Sequence, residues 1–329
     1  MIEKIASIDQ CDLYELPNAW GEKVYTYITT TPQTREICND PRCLGIDYTS
    51  KLQQACGDTL KALSNEDKIT LQEKETIVFN ILRGGLNFGL RDALAQAFGW
   101  NAHSSSFISA QRRRRADNPD EWEITEGDYH KLYLKPTSSI VFGDVVATGT
   151  SLEHALDILI HEAEQTGCTI KNMIFFTIGG IKTEAILART AKRLTSLFPD
   201  FEGIHVVYIE GRFIVPDHNT PLTIKLTGTD LVRRDAVMAP EFIASQYENP
   251  CYPIERCTIY DAGSRAFLIS EYAEDVLEYW QQNLELAEQG MTFTQLVNER
   301  FPEIDATRYA DTDLKALSIA QIEFFSQYI

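Results

Sequence analysis

Three clusters of residues in this 329-residue chain combine side-chain types and spacing that suit chemistry on a small anion. The first is Ser139 to Leu152, SIVFGDVVATGTSL. Its apolar run Ile140-Val141-Phe142 ends at Gly143-Asp144. Val145 and Val146 follow, and then small and hydroxylated residues, Ala147-Thr148-Gly149-Thr150-Ser151, open a helical pattern. A loop between a strand and a helix N-terminus offers backbone N–H groups, hydroxyl donors and the positive end of a helix dipole, which together suit a phosphate. An acid at the strand end just before it can meet sugar hydroxyls or a magnesium ion. Thr150 and Glu153 also stand at capping-box spacing, so part of the pattern is that of an ordinary helix start.

The second cluster is Ile81 to Gly89, ILRGGLNFG. Gly84 and Gly85 after a strand let the backbone approach a ligand closely and adopt unusual dihedrals. Arg83 adds a cation beside them. The third is Arg112-Arg113-Arg114-Arg115, the one dense basic cluster in a chain whose formal net charge is −18. So acidic a balance disfavours long polyanions. The expected partner of the arginine run is a small, highly charged anion, with no role for nucleic acid. Runs of like charge are otherwise solvated surface.

The elements that must position these clusters alternate from about residue 71 to 215. Ile77 to Leu82 reads as a buried strand, and Asn87 to Phe98 as a helix ended by Gly99. Phe107-Ile108 is a short strand, the stretch from Arg112 to His130 a loop, and Ser139 to Phe142 a strand. Ser151 to Glu164 is a helix, Met173 to Ile178 a strand, Thr183 to Leu197 a helix and His205 to Ile209 a closing strand. Such alternation predicts an α/β fold, a parallel sheet flanked by helices. Ligands of such sheets sit beyond the C-terminal ends of the strands. Residues 1–70 read as a mixed N-terminal extension packing on this core, with one helix around Leu52 to Leu63. Residues 216–329 read as a mainly helical cap or substrate region: Ser270 to Gln289, a second helix begun by Thr292 and Gln295 at capping-box spacing, and Asp313 to Tyr328. Within that region Gly228 to Asp235 reads as a salt-bridged surface turn or as acceptor recognition, and Tyr260 to Arg265 is similar.

Seven cysteines, with no CxxC pair, support neither a zinc ribbon nor a disulfide framework. The six histidines form no metal or triad spacing. No apolar run approaches the roughly 20 residues that span a bilayer, and no signal sequence opens the chain, so the expectation is a cytoplasmic protein with no membrane partner.

Ser139 to Leu152 resembles the phosphoribosyl-diphosphate (PRPP) signature of the type I phosphoribosyltransferases: an apolar strand, two adjacent acids, two mostly apolar residues and a T-T-G-G-T or A-T-G-G-T loop. Asp144, Val145, Val146 and Ala147 to Ser151 fit. Gly143 stands in place of the first acid, and Thr150 in place of the second glycine. The resemblance covers roughly residues 75–215 and implies a phosphoribosyltransferase-like core. It implies that Ala147, Thr148, Gly149, Thr150 and Ser151 hold the 5-phosphate, and that Asp144 is the catalytic acid facing the ribose hydroxyls. It makes Arg83, Gly84 and Gly85 the pyrophosphate loop, which in the family often carries a non-proline cis peptide. Arg112 to Arg115 would then lie on the flexible lid that closes over the pyrophosphate. The implied cofactor is Mg2+, bridging pyrophosphate and ribose oxygens with no direct protein ligand required, although Asp144 is available. The implied reaction moves ribose 5-phosphate from PRPP to a nucleobase or related nitrogen nucleophile and releases pyrophosphate. Homodimerisation is compatible with this reading. The alternative is a regulatory protein that keeps the fold and binds PRPP or a nucleotide without turnover, because Gly143 supplies neither a carboxylate nor countercharge for magnesium.

Overall fold

The structure is a computed structural model. It describes every residue except 1, 19, 22, 115–121, 127–128, 148, 218, 225–229 and 257–261, and the backbone alone of 111–114, 122, 123, 126 and 262. The strands are β1 (Glu3–Ile8), β2 (Cys11–Leu16), β3 (Val24–Thr30), β4 (Thr76–Leu82), β5 (Ser104–Ser109), β6 (Gln111–Arg114), β7 (Trp122–Glu126), β8 (His130–Lys131), β9 (Thr137–Val146), β10 (Thr169–Gly180), β11 (Gly203–Ile214) and β12 (Val232–Met238). The helices are α1 (Pro32–Asn39), α2 (Gly45–Asn65), α3 (Leu90–Phe98), α4 (Thr150–Thr166), α5 (Lys182–Leu197), α6 (Pro240–Ser245), α7 (Ala262–Phe267), α8 (Ile269–Glu288), α9 (Phe293–Arg300) and α10 (Leu314–Ser326).

One ten-stranded sheet runs in the order β1-β2-β3-β11-β10-β9-β4-β5-β8, with β12 added beside β11. Every pairing from β3 through β11, β10, β9 and β4 to β5 is parallel. The predicted parallel sheet is therefore present, and its strands are continuous apolar runs because helices cover both faces. Phe142 at its centre stacks on Phe175 at 4.4 Å and meets Phe79 edge-on at 6.2 Å.

The N-terminal strands were not legible beforehand. Residues 3–30 are hydrogen-bonded into the same sheet, with β3 parallel to β11 from Val24↔Ile204 to Thr29↔Ile209. The β1–β2 hairpin hides its signal because its two turn residues, Asp9 (φ 48°) and Gln10 (φ 69°), take left-handed dihedrals without a glycine. The segment after Ala110 also departs from expectation. Rather than one loop, its backbone forms an antiparallel ribbon of β6 and β7, and β8 pairs with β5.

In the C-terminal region α8 packs on α10, with Tyr272 edge-on to Phe325, and α7 packs on α2 and on the turn after β4. Thr292 does begin α9 with a capping box, and Asp313 caps α10. The reading of Gly228 to Asp235 as a surface turn is corrected in part. Asp230 and Arg233 are buried, and Asp230 accepts from Arg300 at 3.2 Å and from Arg256 at 3.4 Å. Buried charges persist only when paired in this way. Arg265 is fully buried between the rings of Tyr48 and Tyr272. It donates to the carbonyls of Ile37, Asp40 and Cys43, so the C-terminal region clamps the α1–α2 corner. Among the described residues, no helix is long and apolar enough to cross a membrane.

Candidate functional site

The chain order builds a crevice at the centre of the sheet. From β4 it moves outward to β5, then returns to β9 on the other side of β4 and continues through β10 to β11. The direction of winding reverses between β4 and β9, and loops leaving the C-terminal ends of two such strands part there. The residue register shows the parting directly. Pairing of β4 with β9 stops at Phe79↔Phe142, while β4 stays on β5 to Leu82↔Ser109 and β9 stays on β10 to Val146↔Gly179.

A 3₁₀ turn, Gly84–Phe88, fills the gap between the diverging strands and packs on both. It departs from the single helix expected over Asn87 to Phe98: the turn ends at Gly89, whose φ of +55° lets the chain bend before α3 starts at Leu90. A β-carbon on Gly85 would lie 3.0 Å from the Gly143 carbonyl oxygen, and one on Gly84 would lie 3.2 Å from Asp144 Oδ1. The first two sequence clusters thus meet, and they meet through glycine backbone. Arg83 is exposed at the start of the turn, and the Leu82–Arg83 peptide is cis.

Gly143 itself has a physical explanation. A β-carbon there would stand 2.5 Å from Cγ of Phe88, whose ring is wholly buried. The space that a side chain at position 143 would need is therefore taken by a phenyl ring. Asp144 lies one residue on, half-buried, with Oδ1 accepting from the Val145 N–H at 2.9 Å.

The loop after β9 turns into α4 at Gly149 (φ +85°, ψ 0°). Gly149 is required twice over, because a β-carbon would also stand 2.2 Å from Ile186 Cδ1 of α5. The N-cap of α4 is Gly149 rather than Thr150, so the Thr150–Glu153 spacing does not make a capping box. Thr150 is the first helical residue, and Glu153 pairs with Arg189 on the surface. The 17-residue helix thus begins directly at the loop after β9, and its N-cap residue is a glycine. Ala147 is buried beneath the loop. Thr148 lies outside the described residues. The Ser151 hydroxyl donates to the Ala110 carbonyl at 2.9 Å, which ties the α4 N-terminus to the exit of β5.

The arginine run begins two residues beyond Ala110. Arg112, Arg113 and Arg114 lie on β6, and the β6–β7 ribbon packs against α4. Their side chains, and all of Arg115, lie outside the described residues.

Sequence reading missed two neighbours of the site. Phe88 follows Gly84-Gly85 with no spacing signal of its own. Beyond β10, Glu184 in the first turn of α5 is buried and pairs with Arg212 of β11 at 3.0 Å, while the Tyr208 hydroxyl of β11 donates to the Gly180 carbonyl at 3.2 Å. Burial pushes the Tyr208 phenol well above its ordinary range. The one available hint was an acid in the first helical turn after Gly179-Gly180.

A metal needs deprotonated donors and an open position. In the cluster Glu36, Cys43 and Asp47 the two carboxylates are ionised but already held by Lys51, and the buried thiol keeps its proton. The Lys51 ammonium sits 2.5 Å from Glu36 and 2.6 Å from Asp47, and burial pushes the Cys43 thiol up to about 12. At the crevice Asp144 is the carboxylate at the end of β9. One carboxylate suits magnesium that is held mainly by substrate phosphates.

No family model matches this chain, and no curated protein matches it. Among solved structures it is similar to an adenine phosphoribosyltransferase from Trypanosoma brucei, crystallised with AMP, pyrophosphate and ribose-5-phosphate. That likeness spans 56% of this chain and 82% of the other at 11% identity, with a TM-score of 0.33. At that level the likeness carries no argument about chemistry. The chain has an α/β fold with a mostly parallel sheet flanked by helices, and its candidate site rests on the geometry of β4, β9 and α4.

Proposed function

We propose that this chain binds PRPP at the β4–β9 crevice and transfers ribose 5-phosphate to a nucleobase or related nitrogen nucleophile, releasing pyrophosphate. The observation that carries the reading is the meeting of the Gly84–Gly85 turn with the Asp144 carboxylate at the reversal point of the sheet, beside the N-terminus of α4. The N–H groups of Gly149, Thr150 and Ser151 are suited to the 5-phosphate, a remote anchor whose binding energy orients the anomeric carbon. Asp144 accepts from the ribose hydroxyls and stabilises positive charge developing on the ring. The backbone of Gly84 and Gly85, with Arg83, receives the pyrophosphate. The arginines of β6 and the residue that follows it add countercharge and exclude water as the bond breaks. Asp144 is the residue that would stand beside a bound magnesium ion, which would supply charge neutralisation on the leaving group.

The buried Phe88 ring at Gly143 favours a second reading, a PRPP or nucleotide sensor without turnover. A charge-assisted hydrogen bond is worth about 1.5–3 kcal/mol, so a single carboxylate lowers affinity for the sugar by one to two orders of magnitude relative to a pair. One experiment separates the readings. The protein is incubated with PRPP, magnesium and a panel of bases, pyrophosphate release is measured, and thermal shifts are recorded with PRPP and ribose 5-phosphate. Turnover with an acceptor, lost in Asp144→Asn, supports the transferase. Stabilisation by PRPP with no turnover supports the sensor. No stabilisation by either phosphorylated ribose refutes both.

A further inference from the structure

The interface between the two ligand loops contains three glycines, Gly84, Gly85 and Gly143, and one aromatic ring, that of Phe88. Gly84 faces Asp144 Oδ1, Gly85 faces the Gly143 carbonyl, and Gly143 faces the Phe88 ring at distances that a β-carbon would close to 3.2, 3.0 and 2.5 Å. Phe88 belongs to the same five-residue 3₁₀ turn as Gly84 and Gly85. Its ring is 0% exposed and docks on the strand residue adjacent to Asp144. Successive strand residues point to opposite faces. The ring therefore grips β9 on the face opposite the Asp144 side chain, while the rest of the turn comes over to the carboxylate. A short turn pinned at its far end by an aromatic ring on a glycine has one seating height. Moving the ring moves the turn, because close-packed interiors transmit displacements.

We propose that Phe88 is a positioning residue: its docking on Gly143 sets the separation between the Asp144 carboxylate and the Arg83–Gly85 turn. The inference rests on the reading that the crevice takes a phosphorylated ribose. It predicts a division between ligands. Ribose 5-phosphate needs only the α4 N-terminus and Asp144, whereas PRPP must also reach the Arg83–Gly85 turn. A misplacement of about 1 Å can cost about a hundredfold where two groups must be engaged together.

The test is calorimetric titration of the full chain with ribose 5-phosphate and with PRPP and magnesium. The variants are Phe88→Ala, Phe88→Leu, Gly143→Ala and the double variant Gly143→Ala/Phe88→Leu. Phe88→Ala releases the turn, and Gly143→Ala lifts the ring from the other side. Each is expected to weaken PRPP by about tenfold or more, or about 1.4 kcal/mol, while ribose 5-phosphate stays within about threefold. Phe88→Leu keeps a bulky apolar group and is expected to retain most of the PRPP affinity. In the double variant the smaller side chain makes room for the added methyl, and PRPP affinity recovers relative to Gly143→Ala alone. A folded Gly143→Ala protein suffices if Phe88→Ala does not fold. Equal weakening of both ligands, or unchanged PRPP affinity in Gly143→Ala, overturns the positioning role while leaving the site intact. A wild-type protein that binds neither ligand overturns the ribose-phosphate reading itself, and the inference with it.

Discussion

Gly149→Ala tests the loop that opens α4, and its cost can be worked from two separate features. The backbone at 149 is left-handed, with φ +85° and ψ 0°. That conformation costs an alanine about 1–2 kcal/mol relative to glycine. The new methyl would also stand 2.2 Å from Ile186 Cδ1, the tip of a buried side chain on α5. Forcing that tip aside in a packed core costs about 1–3 kcal/mol. The sum is a destabilisation of about 2–5 kcal/mol, measured by urea unfolding at constant pH. Ile186→Val removes Cδ1 and alone costs about 0.5–1.5 kcal/mol. In the double variant the overlap is gone and only the dihedral term remains, so the two changes are expected to couple favourably by about 1–2 kcal/mol. If their costs simply add, within about 0.5 kcal/mol, the Ile186 contact does not constrain this position and the steric half of the argument is refuted. In Gly149→Ala the thermal stabilisation by ribose 5-phosphate should also shrink, because the first-turn N–H groups of α4 are re-aimed.

Two further outcomes follow from buried charge. Glu210, wholly buried at a left-handed position of β11 (φ 62°), accepts from Thr31 N and Thr34 Oγ1, and burial pushes its carboxyl up to about 8 from 4.5. The folded state then holds a proton that the unfolded chain releases near 4.5. Its contribution to stability is full below pH 4.5, falls as pH rises toward about 8, and is constant above. At about 1.4 kcal/mol per pH unit the loss is at most on the order of 5 kcal/mol. Glu210→Gln cannot ionise and should show a shallower fall in melting temperature between pH 5 and 9, and identical slopes would sink the assignment. Some slope should persist from Glu255, whose carboxyl burial raises to about 7. Asp230→Ala leaves Arg300 and Arg256 buried without their carboxylate and should destabilise by about 3–5 kcal/mol in urea. A loss below about 1 kcal/mol would mean that this network contributes little to holding α9 in place.

The parts of the molecule legible in the sequence were those with a local physical signature. Ile140-Val141-Phe142 and Met173 to Ile178 read as buried strands because they are buried on both faces, and Thr292 with Gln295 announced α9 because a capping box is a four-residue signal. Loop glycines at 84, 85 and 149 were also visible, since their need for space or for positive φ is written into residue type. What stayed hidden depends on distant partners. The Asp9-Gln10 turn has no glycine to mark it, so β1 and β2 were lost. Asp230 and Arg233 read as surface charge because their partners lie at 39, 255, 256 and 300, far along the chain. The absence of an acid at 143 was plain, but its cause was not, because Phe88 reaches Gly143 across fifty-five positions.

The parallel pairing of β3 with β11 has a consequence for how the chain is made. Tyr27 and His205, which meet across these strands, are 178 residues apart. At a synthesis rate of about 5–20 residues per second, β3 waits roughly 10–35 s for its partner. During that interval the hairpin of β1 and β2 and the free edge of β3 stand outside any finished sheet, and the Arg265 clamp on Ile37, Asp40 and Cys43 arrives later still. An unpaired strand edge is a template for pairing with another chain, so this interval is when the nascent polypeptide is most exposed to aggregation.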